Sequence, residues 1–295
     1  MQILRTVAEL RRWSRESRSA QSGLIALVPT MGALHAGHAS LIRAARAATP
    51  HVAVSIFVNP AQFGPHEDYA RYPRSFDADC ALAQSEGAEA IFAPAVEELY
   101  PAGASTYVEV GALGNRLDGA SRPGHFRGVA TVVAKLFIAA EPGLAFFGQK
   151  DAAQVSVLRR MTADLRLATE IVVCPIVRSP DGLALSSRNA YLTPPQRAQA
   201  LTLSRAVRHV ESLAAKGERR AAVLIEAAHS IFAAASSAFP AASSAFAAEP
   251  AIRIDYIALV DWATLEPVET ALPGTLFAVA AYIGPTRLID NAILA

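Results

Sequence analysis

A repeated change of hydrophobic period between residues 24 and 177 most constrains the fold of this chain. LIALVP (24–29), HVAVSIFV (51–58), AEAIFAP (88–94), LAFFG (144–148) and TEIVVCPIV (169–177) are short apolar runs that read as buried strands. Between them, HASLIRAARAA (38–48), FDADCALAQSEG (76–87), FRGVATVVAKLFIAA (126–140) and AAQVSVLRRMTADL (152–165) read as helices. Such alternation predicts an α/β domain, a parallel sheet with helices on both faces. Sheets of this kind bind ligands at the carboxyl ends of their strands. After about residue 190 the texture changes. A helix opens behind prolines in TPPQRAQALTLSRAVRHVESLAAKG, a second is expected near 218–233, and AIRIDYIALVD (251–261) and TLFAVAAYIG (275–284) look like strands. The expected division is an α/β domain over 1–184 and a smaller α+β domain over 185–295.

Composition excludes some classes. The chain has 295 residues, 52% of them hydrophobic and 18% charged, enough apolar material for a substantial core. A net charge of +1 makes no electrostatic case for nucleic acid or an anionic membrane as partner. No apolar run reaches the roughly 18 residues of a membrane span. The N-terminal stretch MQILRTVAELRRWSRESRSA has helical spacing and lacks the uninterrupted apolar centre of a signal peptide. Cys80 and Cys174 stand alone, so a reducing cytosol is expected. The near-duplicate ASSAFPA/ASSAFAA (235–248) is expected in a surface helix or loop.

The stretch TMGALHAGH, Thr30 to His38, leaves the first strong strand and enters a helix. Zinc would need a third ligand near His35 and His38, and none is in sequence reach. Gly32 and Gly37 have P-loop spacing, but His38 and Ala39 stand where lysine and a hydroxyl residue are required. Two readings stay open. Both imidazoles could serve a phosphate at a helix N-terminus, with the glycines letting the backbone approach it. Alternatively, they could be polar residues capping the helix.

Other groups collect past strand ends. Asn59 and Gln62 in FVNPAQFGP offer neutral amides for a small polar substrate, or for their own loop backbone. His125 and Arg127 open the apolar helix after a Pro–Gly turn. In FFGQKDAAQ, Lys150 is one of only three lysines and sits at a helix start, Asp151 suits the first turn, and Gln154 lies one turn on. In SPDGLALSSRN, Ser186, Ser187 and Arg188 provide hydroxyls and a guanidinium fork for phosphate oxygens, or a solvated hinge. Paired carboxylates for hydrolysis are missing, and so is a nucleophile with a matching base. The implied chemistry is stabilisation of phosphate charge.

PTMGALHAGH, FVNPAQFGPHEDYARYPR, SRPGHFRGVATVVAKLF, FFGQKDAAQ, VRSPDGLALSSRN and GPTRLIDN together resemble the pantothenate synthetase (pantoate–β-alanine ligase) family, essentially end to end. The resemblance implies a Rossmann-like nucleotidyltransferase-type domain that binds ATP and pantoate, followed by a C-terminal lid domain. It implies condensation of (R)-pantoate with β-alanine through a pantoyl adenylate, releasing pyrophosphate and AMP. By the family pattern Met31, Gly32, Ala33, Leu34, His35, Ala36, Gly37 and His38 line the ATP site, with both histidines on the phosphates and His38 as proton donor. Gly148, Gln149, Lys150, Asp151, Val177, Leu185, Ser186, Ser187 and Arg188 complete that site. Lys150 and Arg188 join the histidines as the expected catalytic groups. Gln62 is expected to bind pantoate and β-alanine, Gln154 pantoate, with Asn59 beside them. Mg2+ is expected to arrive with the triphosphate and without a dedicated protein cage. The resemblance also implies a cytoplasmic homodimer. Ala39 stands where the family has a larger apolar residue, and Gln149 where it has glutamate. Two rival readings are an adenylyltransferase of the same superfamily and a non-catalytic nucleotide sensor. The amides Gln62 and Gln154 speak against the first, and the imidazole, lysine and arginine set against the second.

Overall fold

The computed structural model describes residues 1–19, 23–65, 67–238 and 252–295. It divides into two compact units, Met1–Pro175 and Ile176–Ala295. The division precedes the expected 184/185 boundary. Segment 176–185 pairs within the second unit, through the Leu185 N–H to the Val177 carbonyl (2.9 Å) and a bridge between Arg178 and Ala184.

The first unit carries strands β1 (Gln2–Leu4), β2 (Ile25–Thr30), β3 (His51–Ile56), β4 (Ala90–Phe92), β5 (Leu144–Gly148) and β6 (Glu170–Cys174). Its helices are α1 (Val7–Ser19), α2 (Ala36–Ala48), α3 (Phe76–Ser85), α4 (Val96–Leu99), α5 (Asp118–Ser121), α6 (His125–Ala140) and α7 (Ala152–Asp164). The strands form one parallel sheet in the order β1-β4-β3-β2-β5-β6. The α/β expectation therefore holds. The edge strand β1 is too short to carry a period of its own. It is fixed by the hydrogen bond from Gln2 N–H to the Glu89 carbonyl and by a turn in which Glu9 accepts from the N–H groups of Arg5 and Thr6.

Successive strands step away from β2 in one direction through β3 and β4, and in the other through β5 and β6. The crossover sense therefore reverses between β2 and β5, which opens a crevice at their carboxyl ends. Val28, Val54, Ile91 and Phe146 fill the sheet beside Leu41, Ile42 and Ala45 of α2. Burial of α6 is nearly complete, which explains its apolar character all round.

The second unit holds α8 (Pro194–Ala215), α9 (Ala221–Ala238) and an antiparallel sheet of β7 (Ile252–Val260), β8 (Leu276–Ile283) and β9 (Thr286–Ile293). Thr193 and Gln196 cap α8 reciprocally, behind prolines at its first positions. β8 and β9 join through a two-residue turn whose first residue, Gly284, has φ +53. Phe232 and Leu224 of α9 pack with Leu203 and Val207 of α8 and with Phe277 and Val279 of β8. Residues 239–251, which hold most of the 235–248 duplication, lie outside the described residues. Among the described residues no helix is long and apolar enough to cross a membrane.

Candidate functional site

The segment from Thr30 to His38 lies at the switch point, between the end of β2 and the start of α2. Its turn is made by Gly32 at φ +84 and Ala33 at φ +51, whereas Gly37 sits inside the first turn of α2. A Cβ on Gly32 would meet Asp79 Oδ2 at 3.0 Å and Ile56 Cγ2 at 3.1 Å. The buried Asp79 carboxylate clamps this turn. It accepts from the N–H groups of Ala33 (2.9 Å) and Leu34 (2.8 Å) and from the Ser75 hydroxyl (3.0 Å). Sequence reasoning missed Asp79. An aspartate in the first turn of α3 reads as an ordinary helix-dipole residue.

The histidines cap α2 and keep one ring edge for other use. His35 Nδ1 accepts from the Gly37 N–H (3.1 Å), and His38 Nδ1 accepts from the His35 N–H (3.2 Å). A backbone N–H only donates, so each neutral ring carries its proton on Nε2, the edge not used in the cap. The two ring centroids are 4.2 Å apart. Burial lowers the His35 pKa to about 4, helped by the positive charge of Lys150 and opposed by Asp151. Burial, then His35, lowers that of His38 to about 3. The pair therefore presents two neutral N–H donors. In long-range 1H–15N spectra at pH 6, both rings are expected in the Nε2–H form. A shift typical of Nδ1–H, or titration at the ordinary value of about 6.5, would contradict the cap.

Lys150 and Asp151 form a short 3-10 turn between β5 and α7, with Nζ 3.3 Å from Asp151 Oδ1. Their charges act on both histidines, so the β2 and β5 ends share one electrostatic field. Gly148 closes β5, and a Cβ there would meet nothing within 4 Å, so the backbone is open to a close ligand. Gln154 is half-buried in the first turn of α7.

The amides form a buried relay. Asn59 Nδ2 donates to Gln62 Oε1 (2.9 Å) and to the Gly128 carbonyl (3.1 Å), while Gln62 Nε2 reaches Met31 Sδ (3.1 Å). Gln62 thus meets the loop that carries the histidines. His125 and Arg122 support it from behind. Arg122 pairs with Glu67 through two bonds of 2.7 and 2.6 Å, and its Nη1 lies 3.0 Å from His125 Nε2. Since Arg122 only donates, His125 Nδ1 carries the proton and donates to the Gln62 carbonyl (2.9 Å). Burial and the Arg122 charge lower the His125 pKa to about 4. Arg127 is exposed and stacks on Tyr107, 3.9 Å from the ring centroid. The supporting roles of Arg122 and Glu67 had no sequence signal, because their partners lie some 60 residues apart.

Val177, Leu185, Ser186, Ser187 and Arg188 belong to the second unit. The first two face each other across the 177–185 hairpin, and Ser186 Oγ accepts from the Arg188 N–H (3.3 Å) to cap a 3-10 turn over Ser187–Tyr191.

A sequence profile described as Pantoate-beta-alanine ligase matches residues 2–293. A pantothenate synthetase from Acidobacterium capsulatum is 54% identical, covering 100% of this chain and 97% of its own length. One from Thermotoga neapolitana is 50% identical with both chains fully covered. Among solved structures, pantothenate synthetase from Thermus thermophilus superposes with TM-score 0.88 at 44% identity over 99% of each chain. Pantoate-beta-alanine ligase from Francisella tularensis, solved with beta-gamma ATP and beta-alanine, gives TM-score 0.77 at 31% identity, covering 99% of this chain and 97% of its own.

Proposed function

This chain belongs to the pantoate-beta-alanine ligase family, and from that premise we propose that it makes pantothenate from (R)-pantoate, β-alanine and ATP at the crevice above β2 and β5. The observation that carries the reading is the pair of Nε2–H donors that the α2 cap creates beside Lys150. A pantoate carboxylate oxygen attacks the α-phosphorus, and pyrophosphate leaves with the electrons of the broken P–O bond. The β-alanine amine then attacks the acyl carbon, the C–O bond to AMP breaks, and the amine's extra proton passes to solvent. The Francisella relative's complex with beta-gamma ATP and beta-alanine supports a nucleotide and an amine as substrates of this reading.

In this reading His35 and His38 donate to phosphate oxygens at the N-terminus of α2, and Lys150 offsets the charge that grows as the α-phosphate is attacked. His38 is the proton donor to an oxygen of the departing pyrophosphate, and solvent returns the proton. Phosphate charge beside its ring raises its readiness to hold a second proton. Gly148 and Gln149 let the nucleotide approach the β5 end, and Val177 and Leu185 to Arg188 are assigned to nucleotide binding as well. Gln62, Gln154 and Asn59 hold pantoate, and Gln62 also β-alanine. Among the described residues no group of three His, Cys, Asp or Glu side chains could hold a metal. The histidines offer N–H groups where a metal needs a lone pair. Mg2+ carried by the triphosphate and water fits this donor set and supplies charge neutralisation. A cytoplasmic homodimer completes the proposal.

The test is an AMP-release assay with pantoate and β-alanine omitted in turn. AMP should appear only with both present; release indifferent to β-alanine would sink the ligase reading. Gln62→Ala is expected to raise the Michaelis constant for pantoate by about 10-fold or more while leaving ATP nearly unaffected. Equal losses for both substrates would contradict its assignment.

A further inference from the structure

The C-terminal stretch GPTRLIDN, one of the motifs that carry the resemblance, has no role in the chemistry above. It forms the β8–β9 turn and most of β9. Asp290 is 2% exposed and faces Arg178 through two bonds, Nη1 to Oδ2 at 2.6 Å and Nη2 to Oδ1 at 2.9 Å. Asp290 Oδ1 also accepts from the Asn291 N–H at 2.8 Å, so the carboxylate is fixed to its own strand. Arg178 Nη1 additionally donates to the Gly182 carbonyl (3.2 Å). Gly182 sits at the tip of the 177–185 hairpin at φ +96, and its N–H donates to the Ser179 carbonyl (2.8 Å). One guanidinium thus ties β9 to the first arm of the hairpin, which carries Arg178, and to its tip at Gly182. The hairpin runs directly into Ser186–Arg188, and Asn189 Nδ2 closes back on the Ala184 carbonyl (3.0 Å). Arg197 adds a weaker outer tie, pairing with Asp181 at 2.9 Å near the surface.

We infer that Asp290 and Arg178 are positioning residues that hold the Ser186–Arg188 loop in the geometry required to bind the nucleotide. The inference rests on the reading of that loop as part of the ATP site. A bidentate, planar pair fixes direction as well as distance, which a lysine at 178 could not reproduce. Glu211 lies in the same neighbourhood. Burial and the Asp290 charge raise its pKa, and Arg178 and Arg208 oppose this. A neutral Asp290 variant therefore leaves a second carboxylate near Arg178, and Arg178→Lys is the sharper probe.

Arg178→Lys should raise the Michaelis constant for ATP by about 10-fold or more, the scale of a displaced positioning contact. The constants for pantoate and β-alanine and the melting temperature should stay close to those of the wild type. Asp290→Asn should move the same parameter in the same direction by less. Unchanged ATP dependence in a folded Arg178→Lys enzyme overturns the inference, provided Arg188→Ala does weaken ATP. If Arg188→Ala leaves ATP binding intact, the reading of the loop itself falls. Should both variants unfold, hydrogen exchange of the wild type decides. Adding ATP without pantoate should slow exchange at Gly182 and Leu185 together with Arg188 and Asn189. Protection confined to Arg188 and Asn189 overturns the inference.

Discussion

Replacing Lys150 with alanine is expected to slow formation of the acyl adenylate by about 10²-fold or more, the order found when one preorganised charge contact to a transition state is removed. The chain has three lysines. Of the other two, Lys135 donates to the Leu99 carbonyl and lies over the Tyr100 ring, 4.4 Å from its centroid, and Lys216 ends α8 in the second unit. Lys150 alone stands at the end of β5, where its charge depresses the His35 and His38 imidazoles. Two measurements follow. Single-turnover pyrophosphate release reads the chemical step; a change confined to the Michaelis constant for ATP would mean that Lys150 binds without stabilising the transition state. NMR titration reads the electrostatics independently of turnover. Loss of the cation should let the His35 and His38 pKa values rise from their depressed values, because a like charge has been removed. Unmoved titrations would place the ammonium too far away to act on the phosphates those rings are proposed to bind.

The same depressed imidazoles set how the fold responds to acid. His35, His38 and His125 are neutral when folded and, at an ordinary value of about 6.5, take up protons more readily when unfolded. Their contribution to stability is therefore complete above pH 6.5. It falls as the pH drops towards about 4 for His35 and His125 and about 3 for His38, and levels off below those values.

The layered fold was legible because its signal is local. Changes of hydrophobic period mark β2, β3, β5, β6 and the helices between them, and strand–helix order alone dictates a parallel sheet. What escaped detection depends on distant segments meeting. Asp79 matters because α3 brings it under the Ala33–Leu34 turn, and Arg122 matters because it spans Glu67 and His125. The open choice at His35 and His38, helix cap or phosphate donor, rested on a false opposition. Nδ1 caps the helix and Nε2 stays available, so capping itself selects the tautomer that donates. The structure divides between Pro175 and Ile176, ahead of the expected 184/185 boundary. In the folded chain Arg178 and Asp290 bind the SPDG turn into the second unit.

Gly128→Ala should damage stability and substrate use together. A Cβ at this position would stand 2.2 Å from the Ala61 carbonyl oxygen, 2.4 Å from its carbon and 2.6 Å from Gln62 Cα. All three are backbone atoms, so no side-chain rotation relieves the clash. Either α6 retreats or the 60–62 turn moves. Overpacking a tight contact costs roughly 3 kcal/mol at the upper end of the usual range, and the melting temperature should fall by several degrees. The displaced turn carries Gln62 and is tied to Gly128 by the Asn59 amide, so the Michaelis constant for pantoate should rise in parallel by about 10-fold. Gly148→Ala is the matched control. Its Cβ would meet no protein atom within 4 Å, so the melting temperature should hold while ATP binding weakens if the nucleotide lies against that strand end. A stable Gly128→Ala enzyme with wild-type pantoate dependence would show that α6 does not fix the substrate amide. An unstable one that binds pantoate normally would separate packing from positioning and leave Gln62 to be held by His125 and Arg122 alone.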